Sequence, residues 1–167
     1  MNALVNKYTS AATAVALALG VLALAPASAN ASSIGERQAI GVQRVHSRYA
    51  FDETVDRIKA DVAAKGIKFF DEIDQSKLGE GANIKIPASK LLLFGNPPLG
   101  VQFLSSNPIA GLDWPVRMLV VQDADGSVWI AWTDFSEIKA RYGLDDRDAA
   151  IKMASEVSAS IASSVAR

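Results

Sequence analysis

The stretch Val116-Arg117-Met118-Leu119-Val120-Val121-Gln122-Asp123-Ala124-Asp125-Gly126-Ser127-Val128-Trp129-Ile130-Ala131-Trp132-Thr133 decides the fold. Its two ends are rich in β-branched and aromatic residues, which suit a pleated, half-buried surface. Between them, Asp123-Ala124-Asp125-Gly126 is a short polar linker ending in Asp-Gly. Two strand-forming runs, 116–122 and 127–133, joined in this way read as an antiparallel hairpin. Trp129 and Trp132 are three positions apart, so they project from opposite faces of their strand. One of them must lie outside the main core and mark a contact surface.

Outward toward the C-terminus, Ser136 reads as the N-cap of a short helix that stops at Tyr142-Gly143. A longer helix then starts at Asp145 or Asp146. It places Ile151, Ala154, Val157 or Ser158, Ile161 and Val165 on one face. Toward the N-terminus, residues 99–114 carry Gly, Pro, Ser and Asn among scattered apolar side chains. They read as a long connection with one helical turn near Val101–Leu104. Gly95-Asn96-Pro97-Pro98 stops a short strand over Lys90–Phe94, because proline cannot donate to a ladder. Residues 75–86 read as a short helix or loop, and Ile67–Ile73 as another strand. Phe51, Val55, Ile58 and Val62 recur at helical spacing behind the acidic start Asp52-Glu53, and Lys65-Gly66 closes that helix. Residues 39–47 form a first strand whose alternation slips near Gln43 and Arg44, the signature of a bulge or an edge. Two amphipathic helices can cover only one side of such a sheet. The pattern therefore predicts an α+β domain over 39–167: a single antiparallel sheet of about five strands, helices packed on one face, and short inserted helices.

The first 31 residues read differently. Lys7 is their one charged side chain, and residues 11–25 are an almost unbroken run of Ala, Val and Leu. Pro26 breaks that run, and Ala27-Ser28-Ala29-Asn30-Ala31 offers cleavage after Ala29 or Ala31. A membrane-spanning helix needs about twenty apolar residues, and this run is nearer fifteen. We read 1–31 as a signal peptide cleaved near Ala31, 32–38 as a disordered leader, and the protein as periplasmic or secreted. The chain carries a net charge of -1, and Lys7 is the only charged side chain lost with the signal peptide. A faintly acidic chain without a basic stripe excludes a nucleic-acid binder and a polybasic membrane clamp. Cysteine is absent, which excludes disulfides, thiolate metal sites and cysteine nucleophiles.

Several motifs resemble the bacterial domain-of-unknown-function 302 (DUF302) family. They are Leu92-Leu93-Phe94-Gly95-Asn96-Pro97, Gly111-Leu112-Asp113-Trp114-Pro115-Val116-Arg117 and Asp125-Gly126-Ser127-Val128-Trp129, with Tyr49–Val55 and Arg141–Leu144 in support. The resemblance spans roughly residues 40–165. It implies a β-α-β4-α domain of TATA-binding-protein-like topology and a homodimer, and it assigns no activity. Many members carry Asp-His where this chain has Asp74-Gln75. Gln75 can exchange hydrogen bonds but cannot titrate.

Among chemical constellations, His46 is the only histidine, so a triad or a multi-histidine metal site has too few members. Asp123-x-Asp125-Gly126 starts like a calcium loop, yet the sixth position, where that loop needs Gly, is Val128. Asp71, Glu72 and Asp74 form an acidic strand end. The Gly95-Asn96-Pro97 and Asp113-Trp114-Pro115 turns each join a rigid proline to a short polar side chain. As structural devices, Gly95, Pro97, Pro115 and Gly126 fix turns, with Asn96 and Asp113 capping amides. As a site, the two turns meet at the sheet and, with Asp74, Gln75, Trp132 and Tyr142, line a small-molecule pocket. The expectation is a module without cofactor, metal or catalytic residues that binds a small molecule or pairs with itself through its open sheet face. The alternative is a hydrolase or isomerase in which Asp74 and Asp113 converge, with Asn96 as hydrogen-bond donor.

Overall fold

The computed structural model describes residues 39–166, and the 116–133 hairpin lies at its centre. The signal peptide and leader assigned to 1–38 lie outside the described residues. In chain order the elements are β1 (Val42–His46), α1 (Phe51–Ala64), β2 (Lys68–Asp74), α2 (Gln75–Gly81), β3 (Ser89–Gly95) and α3 (Pro97–Ser106). A 3-10 helix over Pro108–Asp113 leads into β4 (Val116–Gln122), β5 (Val128–Thr133), α4 (Phe135–Tyr142), a 3-10 turn at Asp145–Arg147 and α5 (Asp148–Ser163). The strands form one antiparallel sheet in the order β1-β5-β4-β3-β2. Hairpin closure is local: the Asp123 amide donates to the Ser127 carbonyl at 2.8 Å, and Gly126 takes φ +87°, which its missing Cβ permits.

One face of the sheet receives both long helices. Val55, Ile58 and Val62 of α1 and Ile161 of α5 pack on Leu92, Phe94, Met118, Val120, Ile130 and Trp132. Helical spacing of 3 and 4 put the α1 residues on a single stripe. A second cluster joins Phe103 of α3, Phe135 and Ile138 of α4, Leu144, and Ile151 and Ala154 of α5.

The opposite face is left open, and it is apolar where a solvated antiparallel face is ordinarily polar. Its middle row runs Arg44–Ala131–Leu119–Leu91–Ile73 from β1 to β2, and Trp129–Val121 lies beside it. These apolar side chains are only partly covered. Trp129 is thus the tryptophan outside the core, while Trp132 is 7% exposed on the helix side.

Three local expectations are corrected. Residues 99–114 are mostly helical: Pro97 and Pro98 occupy the first turn of α3, where an amide would be unpaired in any case. Asp134, not Ser136, is the N-cap of α4, its carboxylate accepting from the Ser136 amide at 2.8 Å. The first strand begins at Val42, because 40–41 form a turn with Gly41 at φ +71°.

Candidate functional site

The bulge in β2 falls between Phe69 and Asp71 and gives Phe70 no ladder partner of its own. A bulge re-aims a side chain, and Phe70 meets Trp114 edge-on, ring centroids 5.5 Å apart. Trp114 follows the 3-10 helix and precedes Pro115 through a cis peptide bond. Its indole lies on two glycine backbones: a Cβ on Gly95 would come within 3.2 Å of Nε1, and one on Gly100 would overlap the ring. The Gly95-Asn96-Pro97 and Asp113-Trp114-Pro115 turns therefore meet, at the end of the sheet where β3 finishes and β4 begins.

Beneath Trp114 is a cavity of 320 Å³, at the lower end of the range for small-molecule sites. Its apolar wall includes Phe94, Phe103, Phe135, Leu99 and Val157. The polar lining is sparse: Asn96, Ser158 and Lys65. Lys65 is the one ionic side chain of the lining, and both Asp61 carboxylate oxygens accept from its ammonium at 2.6 Å. Its charge is already matched. Among the described residues, no acceptor pairs with the Trp114 indole N–H.

Asp113 points away from this cavity. Its carboxyl is 4% exposed and accepts from Arg117, from Arg141 at 2.6 Å and from the Tyr142 hydroxyl at 2.6 Å. Burial alone would raise its pKa. The Tyr142 hydrogen bond and the Arg117 and Arg141 charges outweigh that and hold it below the usual carboxylate value. Tyr142 is pushed up in turn, first by its bond to the Asp113 anion.

The remaining sequence candidates lie elsewhere. The Asp74 carboxyl caps α2, accepting from the Lys77 amide at 3.1 Å and the Ser76 hydroxyl at 2.9 Å. Gln75 accepts from the Ser89 hydroxyl at 2.7 Å. The register sets Asp74 opposite Lys90 and Lys90 opposite Val120, whereas Asp113 precedes Val116 at the other end of β4. Asp74 and Asp113 do not converge, so the two-carboxylate hydrolase or isomerase is not formed. Asn96 lines the cavity but makes no capping bond from its side chain. Trp132 lines a separate groove between β5 and α5. His46 stands edge-on to Trp129 at 5.0 Å, with a buried Nδ1 that has no hydrogen-bond partner among the described residues. Among the described residues, no group of three or more His, Asp or Glu side chains is placed to hold a metal ion. Gly126 sits in the hairpin turn at positive φ, whereas Gly95 is the last paired residue of β3, where its missing side chain makes room for Trp114, and Pro97 opens α3.

Sequence reasoning missed Gly100, Phe103, Met153 and Val157 of the cavity and the two arginines of Asp113. The Pro-Pro pair at 97–98 was the available signal, since proline at the first helical positions announces a helix rather than a loop.

An open five-stranded antiparallel sheet, covered on one face by helices that leave an apolar cavity at its end, defines an α+β domain. This chain belongs to the DUF302 family, a domain of unknown function, whose family model matches residues 43–164. A crystal structure of an uncharacterized conserved DUF302 protein from Bacillus stearothermophilus has the same fold, with a TM-score of 0.70 at 14% identity, covering 76% of this chain and 99% of that one. Curated relatives include proteins named fluoride-specific ion channel FluC 1 from Brucella suis and Brucella abortus. Each is 32% identical over 113 residues, 67% of this chain. The match covers 44% and 42% of their lengths, so this chain spans less than half of those relatives.

Proposed function

We propose that this protein is an exported binding module that takes a small, uncharged, apolar molecule into the cavity beneath Trp114. The observation that carries this is a 320 Å³ space walled by aromatic and aliphatic side chains whose single ionic member is already neutralised by Asp61. A charged ligand would lose its hydration without gaining a counter-ion. An apolar one loses nothing, and Asn96 and Ser158 are the neutral polar groups of the lining that can fix its orientation. Export rests on the signal-like residues 1–31. No helix among the described residues is long and apolar enough to cross a membrane. In the Brucella proteins the conduction that their name records would then belong to the unmatched half, with this domain as a companion to it.

The test uses N-phenyl-1-naphthylamine, an uncharged dye that fluoresces when it leaves water, beside a sulfonated naphthalene dye. The uncharged dye is expected to bind at one site per chain and the sulfonate at least tenfold more weakly. Ala154→Leu, which grows a side chain into the cavity, should abolish uptake of the uncharged dye. Undiminished binding by that variant would refute the reading.

A second observation supports self-association through the open face. The apolar middle row starts at Arg44 on β1, and the neighbouring row of the same face ends at Asp71 on β2, so the two edges of the face carry opposite charge. A two-fold axis parallel to the strands lays the basic edge of one copy over the acidic edge of the other, twice. Leu119→Lys places a charge at the centre of that row. It is expected to weaken the dimer at least tenfold in sedimentation equilibrium while leaving dye uptake intact, and a dimer constant unchanged by the substitution would rule this face out.

A further inference from the structure

The groove that holds Trp132 differs in chemistry from the cavity beneath Trp114. It occupies 210 Å³, about seven waters' share of liquid volume, and is lined by Gln43, Trp132, Asp134, Phe135, Ser155 and Ala159. Its floor is aromatic, Trp132 and Phe135 being 7% and 4% exposed. Its wall is open because α5 presents small side chains, Ser155 and Ala159, where larger ones would close it.

The one charge on the lining is Asp134. Its Oδ1 accepts from the Ser136 amide at 2.8 Å and the Ser136 hydroxyl at 2.7 Å, and its Oδ2 from the Gln43 amide at 2.5 Å. All three donors are neutral, and no salt bridge among the described residues reaches this carboxylate. The Gln43 bond, followed by the Ser136 bonds, holds its pKa below the ordinary value, so it is an anion at neutral pH. The Ser155 hydroxyl proton is committed to the Ile151 carbonyl at 2.9 Å, which leaves its oxygen as an acceptor, and the Gln43 carbonyl oxygen is a further acceptor. The nearest cation along α5, Lys152, turns to Glu156 at 3.9 Å. Outside the groove, Glu137 packs on Gly41 and adds a second acid to the neighbourhood.

A carboxylate that caps a helix but pairs with no cationic side chain, beside two aromatic side chains and with acceptors around it, is an arrangement that can hold an organic cation. The carboxylate supplies charge, the indole face a cation–π contact, and the acceptors take N–H bonds. We propose that the groove between β5 and α5 is a second binding site, for a small primary ammonium compound carried on a single ring or short chain. Spare acceptors favour a primary ammonium, with three N–H donors, over a quaternary one. This site is independent of the apolar cavity, although Phe135 contributes to both.

The experiment is saturation-transfer NMR and titration calorimetry with benzylammonium, benzyltrimethylammonium and benzyl alcohol on the whole protein. Benzylammonium is expected to bind at least tenfold more tightly than benzyl alcohol and several-fold more tightly than the quaternary analogue. Asp134→Asn keeps a good N-cap oxygen and removes the charge, and it should lower benzylammonium affinity about tenfold while the alcohol is unaffected. Ala159→Leu should close the groove to all three. Equal affinity for amine and alcohol, or an Asp134→Asn variant that binds the amine as wild type does, overturns the proposal. Dye uptake beneath Trp114 is expected to be unchanged in both variants, so the two sites fail or succeed separately.

Discussion

Replacing Gly100 with alanine is expected to abolish dye uptake and to lower stability by about 2 kcal/mol, the range in which overpacking of a filled interior falls. A Cβ at this position would overlap the Trp114 indole at Nε1, Cε2 and Cδ1. The indole is a rigid bicycle, and Phe70 stands edge-on to it at 5.5 Å. It can yield only by tilting away from the glycine pair, Gly95 and Gly100, that now seats it. Tilting moves the roof of the cavity and changes its shape. Equilibrium urea unfolding reads the stability loss, and N-phenyl-1-naphthylamine fluorescence reads the site. Val101→Ala, one residue on and half exposed, is the control, since it removes a little apolar surface without touching Trp114. A Gly100→Ala protein of wild-type stability that still takes up the dye would show that Trp114 is not held as described.

How far this site was legible in sequence follows from what each residue contributes. The strands of the central hairpin announce themselves because their burial is continuous on one side, and α1 because Val55, Ile58 and Val62 sit at helical spacing. The Gly95 and Trp114 turns were legible as punctuation, since proline and glycine act locally. Their meeting is a tertiary fact. Gly100 sits in a helix where its propensity is poor, and the reason it is there, a tryptophan fourteen residues on, cannot be seen from neighbours in the chain. Asp113 was singled out for its turn; Arg117 stands only four residues on, but Arg141 and Tyr142 come from α4, and nothing local in the chain signals the carboxylate they will meet. Trp132 and Tyr142 were grouped with it as aromatic walls. The register separates them: Trp132 faces the helices, where Val120 pairs with Ile130 and Met118 with Trp132, and Tyr142 closes over Asp113 at the sheet end.

Asp113→Ala is expected to cost about 3 kcal/mol at neutral pH, a loss of roughly 10 °C in melting temperature for a domain of this size. The carboxyl is 4% exposed and is the common acceptor for Arg117, Arg141 and Tyr142. Without it, two guanidiniums are left side by side and a phenol loses its acceptor. Breaking a buried pair ordinarily costs about 3–5 kcal/mol. The arginine side chains are 43% and 52% exposed and can turn to water, which places the expected loss at the low end. The pH dependence follows from the direction of the Asp113 shift. Its folded pKa lies below the unfolded value of about 3.9, so the unfolded chain takes up a proton first. The stabilisation is therefore complete above about pH 4 and is lost as pH falls through the folded pKa. Wild type and Asp113→Ala should differ most at neutral pH and draw together in acid. Asp113→Asn separates shape from charge: it can still accept from Tyr142, and it should fall between the two at pH 7 with no acid-dependent change of its own in this range. Tyr142→Phe, which removes one neutral donor and leaves both arginines paired, should cost about 1 kcal/mol. If Asp113→Ala costs less than Tyr142→Phe, the clamp between the 3-10 helix, β4 and α4 is not what fixes Trp114 above its cavity, and the support for that site must then come from Phe70 and the glycines alone.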